Sequence, residues 1–214
     1  MTQTRKKHNR ALRSRYEALL APIGHFVART GISPNFVSIL AVLMSVASAI
    51  AFATGSIAFG LLFMVFSSWM DMLDGSIARA KGQATPFGQV FDHTLDRYAE
   101  FFFLLGILLG GYVDGGWILF TLFGMVMGSF IRAKAESVDR SINCSVGIAE
   151  RKEKLFTLAF GAGLQWFYEN VQSFSDLWSI VPFGFNPLTA AVVIVGVLSH
   201  ISALQRLKYA HTNM

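Results

Sequence analysis

The sequence Asp71-Met72-Leu73-Asp74-Gly75-Ser76-Ile77-Ala78-Arg79, followed after eight residues by Gly88-Gln89-Val90-Phe91-Asp92-His93-Thr94-Leu95-Asp96, decides how the rest of the chain reads. Its four carboxylates lie on either side of a short basic turn, between two apolar runs long enough to enter a bilayer. Ionisable groups are costly to bury there, so they mark a functional site, a packing salt bridge or a cation pathway. Asp71 and Asp74 are i,i+3, and Asp92 and Asp96 are i,i+4; on helices each pair shares a face, one turn apart. Carboxylates converging without counter-charge repel, and some take up protons. Divalent cations relieve that repulsion, and an all-oxygen donor set suits Mg²⁺ or Mn²⁺. Gly75 follows Asp74, Ala78 stands one turn after it, and Gly88 stands one turn before Asp92. Small residues at these places let a bulky ligand approach the backbone. Arg79 adds a planar cation suited to phosphate. Thr85-Pro86 reads as an N-cap followed by Pro at the first helical position, and such a helix start itself favours phosphate.

The surroundings are those of a polytopic membrane protein. Of 214 residues, 53% are hydrophobic and 14% charged, with a mean hydropathy of +0.49, too apolar for a soluble domain. Six apolar segments, at about 35–54, 57–80, 86–110, 114–138, 152–170 and 186–208, have the length of membrane helices. The expected fold is all-α, with six transmembrane helices forming one catalytic domain over 34–214. Residues 1–33 form a cytoplasmic arm. There Leu12, Tyr16, Leu19, Leu20, Ile23, Phe26 and Val27 recur at helical spacing, predicting an amphipathic interfacial helix from about 9 to 29. No apolar core follows closely enough for a cleavable signal peptide. Gly106-x3-Gly110 and Gly124-x3-Gly128 are candidate close helix contacts. The single Cys144 allows no internal disulfide.

Lys and Arg set the topology. With the N-terminus inside, they fall in or near the arm, the turn near 81–86, the 132–154 loop and the C-terminus. The outer turns, about 54–57, 110–116 and 170–185, hold none; they carry Asp114, Glu169 and Asp176. The Asp cluster then lies near the cytoplasmic face of the cell membrane, where a soluble substrate and a lipid of the same leaflet can meet. This distribution accounts for the net charge of +5 without nucleic acid. A second constellation is Arg132-Ala133-Lys134-Ala135-Glu136, followed by Val146-Gly147-Ile148-Ala149-Glu150-Arg151. Its cations suit an anionic substrate near a metal site, although the positive-inside rule alone would also gather them.

The pattern D-x2-D-G-x2-A-R-x8-G-x3-D-x3-D resembles the signature of the CDP-alcohol phosphatidyltransferase family at every fixed position. The second constellation resembles the phosphatidylinositol-phosphate and archaetidylinositol-phosphate synthase subgroup, which favours a phosphate site at Arg132, Lys134 and Arg151. The resemblance implies transfer of a lipid-phosphate group from a CDP-linked lipid alcohol to an acceptor hydroxyl, releasing CMP. It implies two divalent ions, Mg²⁺ or Mn²⁺, on Asp71, Asp74, Asp92 and Asp96, with Asp96 as general base. Gly75, Ala78, Arg79 and Thr85 would line the nucleotide diphosphate, and Gly88 would give it room; Pro34 and Asn35 match family nucleotide contacts only loosely. The family layout also implies a homodimer among membrane lipids. A phosphorylated polyol is the expected acceptor, because a neutral acceptor gives no reason for the cations; the subgroup resemblance puts inositol 1-phosphate first and glycerol 3-phosphate second. The residues are compatible with both a diacylglycerol and an archaeol lipid.

Two rival classes stay in view. An intramembrane prenyltransferase also uses Asp-rich pairs and Mg²⁺, but with more helices, another Asp spacing and no D-G-x2-A-R. A cation transporter wants polar groups continuing outward, whereas Phe101 to Leu109 is an apolar run. Among the remaining residues, His93 adjoins Asp92 but points elsewhere on a helix, and Arg97 is assigned to Glu100 or a headgroup. His200 is assigned an interhelical hydrogen bond, and Cys144 an inert buried place. Trp69, Trp117, Trp166 and Trp178 read as interfacial anchors.

Overall fold

The computed structural model of the protein describes Pro22, Val27 and residues 29–82, 85–170 and 186–214. Most of the expected amphipathic helix, and the outer turn with Asp176 and Trp178, lie outside the described residues. Among the described residues six helices follow in order: α1 Pro34–Ala53, α2 Ile57–Ala80, α3 Pro86–Leu109, α4 Gly115–Val138, α5 Arg151–Asn170 and α6 Pro187–Asn213. No strand occurs among the described residues.

The helix ends follow local chemistry. The Ser33 hydroxyl accepts from the Phe36 N–H at 3.2 Å, with Pro34 at the first helical position. α1 stops at Gly55, whose φ of 84° lies in the left-handed region. There the Ser56 N–H reaches back to the Ala51 carbonyl at 2.8 Å, closing the last turn. α3 opens as the Thr85-Pro86 pair predicts, with the Gly88 N–H donating to Thr85 Oγ1 at 3.0 Å. Asn186 caps α6 through the Thr189 N–H at 2.8 Å. That helix runs to Asn213 rather than about 208, because its polar last turns keep helical hydrogen bonding.

Among the described residues four helices, α1, α2, α4 and α6, are long and apolar enough to cross a membrane. α3 and α5 match the expected spans in length but not in apolarity. They carry Asp92, Asp96, Arg97 and Glu100, and Arg151, Lys152, Glu153 and Lys154, so the charges that make the site chemically interesting lower their hydropathy.

The chain forms two compact units, residues 1–45 with 65–99 and residues 46–64 with 100–214. In the first, Val37, Leu73 and Ile77 form a buried cluster with Val27 and Met70 packed against it. The Ser67 hydroxyl donates to the Ala41 carbonyl at 2.7 Å, tying α2 to α1. In the second, α4 and α5 both pack on α6. Close contacts occur at Gly106, Gly110 and Gly124, whereas Gly128 has ordinary van der Waals room. A Cβ at Gly106 would run into the Ala49 backbone, and one at Gly124 into the His200 ring. Small residues thus let helices approach closely where no hydrophobic driving force exists between them. Buried hydroxyls complete the contact, as Thr121 does in donating to the Val192 carbonyl at 2.9 Å.

Candidate active site

α2 places Asp71 and Asp74 one turn apart, and α3 brings Asp92 to them. One carboxylate oxygen from each of the three lies within 4.8 Å of the others. Asp92 also belongs to a second group, in which single ligand atoms of Asp92, His93 and Asp96 lie within 4.8 Å of one another. The four carboxylates therefore form two overlapping sets sharing Asp92. Burial differs among them: Asp74 is 5% and Asp96 7% exposed, whereas Asp71 and Asp92 are half-buried.

The donor chemistry fits a hard divalent cation. Oxygens on opposite sides of Mg²⁺ stand about 4.2 Å apart, given metal–oxygen bonds of about 2.1 Å. Neighbouring oxygens on the same ion stand about 3.0 Å apart, so three oxygens within 4.8 Å of one another can share it after small side-chain rotations, and their negative charge gains a counter-ion. Asp74 is aimed by α1. The Ser38 hydroxyl, itself buried, donates to Asp74 Oδ2 at 2.5 Å and also lies 3.2 Å from the Pro34 carbonyl.

The small and basic residues of the motif belong to the same unit as this set. Gly75 is half-buried, and the only atom near a Cβ placed there is an Arg79 guanidinium nitrogen at 3.4 Å. Arg79 thus lies back along its own helix toward the open face at Gly75. Thr85 Oγ1 accepts the Gly88 N–H and would lie 3.1 Å from a Cβ at Gly88, so the glycine keeps that helix start narrow. Ala78 is half-buried, and Pro34 and Asn35 stand at the start of α1.

Arg132, Lys134 and Arg151 all belong to the second unit. Both arginines come with a carboxylate. Arg132 Nε lies 3.1 Å from Glu136 Oε1, and Arg151 Nε lies 3.2 Å from Glu100 Oε1. Lys134 is exposed. The 139–150 segment between these cations is held on several sides. Glu136 Oε1 also accepts the Cys144 N–H at 3.0 Å. Arg206 donates through Nε to the Val146 carbonyl at 2.8 Å and through a terminal nitrogen to the Gly128 carbonyl at 2.6 Å. The Ala149 N–H donates to the Ser202 hydroxyl at 3.3 Å. Hydrogen bonds from the Ser141 hydroxyl and N–H hold the Asp139 carboxyl below the usual carboxylate range. Burial pushes the Cys144 thiol up.

Three residues gain roles that the sequence did not assign, Ser38, Arg206 and His93, and Glu100, expected beside Arg97 or free of it, meets Arg151. His93 was expected to point away, yet a ring nitrogen stands with the Asp92 and Asp96 oxygens; its adjacency to Asp92 was the one available signal. His200 behaves as expected, with Nε2 3.1 Å from the Phe120 carbonyl.

Comparison with known proteins places the chain in a family. Residues 31–201 match the profile described as CDP-alcohol phosphatidyltransferase. The chain is 31% identical to an archaetidylinositol phosphate synthase of Pyrococcus horikoshii, over 91% of this chain and 92% of that one. It is 30% identical to a phosphatidylinositol phosphate synthase of Mycobacterium tuberculosis, over 94% of this chain and 89% of that one. A crystal structure of the M. tuberculosis phosphatidylinositol phosphate synthase with CDP-DAG bound superposes with a TM-score of 0.74 at 29% identity, covering 91% of this chain and 94% of that one. A second, in complex with manganese and citrate, gives a TM-score of 0.73 at 29% identity, covering 90% and 89%. With its aspartates grouped as the motif requires and the family profile matched from Gly31 to Ile201, the chain belongs to the CDP-alcohol phosphatidyltransferase family.

Proposed function

We propose that the protein transfers a lipid-phosphate group from a CDP-linked lipid alcohol to inositol 1-phosphate and releases CMP. The observation that carries this is the convergence of Asp71, Asp74 and Asp92 from two helices, beside the glycine and arginine of the same motif. The related synthases, named for inositol phosphate products, support the acceptor assignment.

Asp71, Asp74 and Asp92 hold the divalent ions, with Asp96 at the edge of the set through Asp92. Mg²⁺ or Mn²⁺ held there would neutralise charge on the diphosphate and on departing CMP. Gly75, Ala78, Arg79 and Thr85 line the diphosphate, Gly88 leaves room for it, and Pro34 and Asn35 border the nucleotide. Asp96 takes the proton of the attacking hydroxyl as the new oxygen–phosphorus bond forms and the bond to CMP breaks, help worth about 10²–10⁴-fold. Arg132, Lys134 and Arg151 bind the acceptor's phosphate by charge-assisted hydrogen bonds. Held by that end, the polyol presents a ring hydroxyl for attack, which is catalysis by positioning.

In this reading all six helices span the bilayer, α3 and α5 included, behind an N-terminal amphipathic helix. The Lys and Arg distribution supports an inside N-terminus and an active site near the cytoplasmic face of the cell membrane. The protein works as a homodimer among membrane lipids. Purified protein given CDP-diacylglycerol, Mg²⁺ and a panel of acceptors tests the assignment: CMP should form with inositol 1-phosphate. Efficient use of free inositol or serine, with inositol 1-phosphate inert, would sink it; glycerol 3-phosphate alone would move the protein to another branch of the family.

A further inference from the structure

Glu100 is a buried charge that lies outside the signature motif and has no role in the transfer described above. It is 2% exposed, and its Oε1 lies 3.2 Å from Nε of Arg151. Arg151 is the first residue of α5, while Glu100 comes from α3, and both belong to the second unit. Each charge is costly by itself. A carboxylate this deep needs a cation beside it, and a cation in the first turn of a helix faces the positive end of the dipole. Pairing answers both costs, yet an apolar pair of the same volume would stabilise the fold at least as well. What the ion pair adds is orientation. A guanidinium is a planar fork of five donors, and a contact at Nε sets the direction of the whole plane. The same device occurs at Arg132, where Glu136 meets Nε at 3.1 Å. Glu136 is in turn fixed by the Cys144 N–H.

We propose that Glu100 is a positioning residue for the acceptor: through Nε it sets the plane in which Arg151 presents its guanidinium to the acceptor's phosphate. This rests on Arg151 being a phosphate ligand, as proposed above. Glu100 touches neither reacting atom nor substrate in this scheme and acts only through Arg151.

The test uses the full-length protein in proteoliposomes, with CDP-diacylglycerol and inositol 1-phosphate both varied. Glu100→Gln should raise the acceptor KM about tenfold, the scale of one charge-assisted hydrogen bond, and leave the CDP-lipid KM within about twofold. Glu100→Asp should recover part of the loss. Arg151→Gln should raise the acceptor KM at least as much, and adding Glu100→Gln to it should change the KM less than about twofold, because the two act as one unit. That double variant removes both charges together, so it remains informative if Glu100→Gln alone fails to fold. An unchanged acceptor KM in Arg151→Gln would overturn the phosphate reading of Arg151 and this proposal with it. A raised KM in Arg151→Gln beside an unchanged one in Glu100→Gln would overturn the proposal alone. So would a further loss of fivefold or more, roughly 1 kcal/mol, in the double variant over Arg151→Gln, or equal rises in the KM of both substrates.

Discussion

Ser38→Ala is the sharpest single perturbation of the proposed metal site that leaves every carboxylate in place. The serine hydroxyl donates to Asp74 Oδ2 at 2.5 Å, and both residues are buried, at 6% and 5% exposure. Water does not readily replace the lost donor. A hydrogen bond to a charged group contributes about 1.5–3 kcal/mol, and removing such outer partners of metal ligands costs about 10- to 100-fold in metal affinity. The variant should therefore need about 10- to 100-fold more Mg²⁺ for half-maximal CMP release, with activity largely restored at saturating metal. Ser38→Thr keeps the hydroxyl and should behave much as the wild type. Titration with Mn²⁺ followed by electron paramagnetic resonance gives the same shift without turnover. An unchanged metal dependence in Ser38→Ala, by both readouts, would refute the idea that α1 aims Asp74.

Asn at Asp71, Asp74 or Asp92 should cut turnover by orders of magnitude while the protein still folds, and relief of like-charge repulsion should hold or raise its apo thermal midpoint; activity in EDTA equal to that in Mg²⁺ would contradict this. Asp96→Asn should lose about 10²–10⁴-fold in turnover yet retain CDP-lipid in an equilibrium binding assay; lost nucleotide binding would make Asp96 a ligand only. Cys144 is fully buried and its thiol is pushed up, so it stays protonated at neutral pH. A thiol-reactive maleimide dye should react only as the protein unfolds, and labelling of the native state would show the 139–150 segment lifting from α6.

The Asp quartet was legible because its meaning is local. Intervals of three and four residues fix a shared helix face, and Thr85-Pro86 announces the helix start that carries the second pair. The glycines at 106, 110 and 124 were legible as contacts, since a missing side chain on a membrane helix has few other uses. What stayed hidden depends on residues far apart in the chain. Ser38 meets Asp74 across 36 residues, and Glu100 meets Arg151 across 51. Arg206 looked like one more inner-side cation, yet it bonds two backbone carbonyls, 60 and 78 residues away. No periodicity encodes such pairings. His93 departs from the expectation because helix geometry turns neighbouring side chains about 100° apart around the axis but does not limit an imidazole's reach. Charges on α3 and α5 likewise obscure, in any hydropathy reading, whether those helices cross the membrane.

The mass spectrum of the lipid product tests the central claim most directly. Purified protein incubated with CDP-diacylglycerol, inositol 1-phosphate and Mg²⁺ should yield a lipid holding two phosphorus atoms, one from each substrate, with one CMP released per lipid formed. A product with a single phosphorus atom, or lipid formation without CMP, would contradict the account.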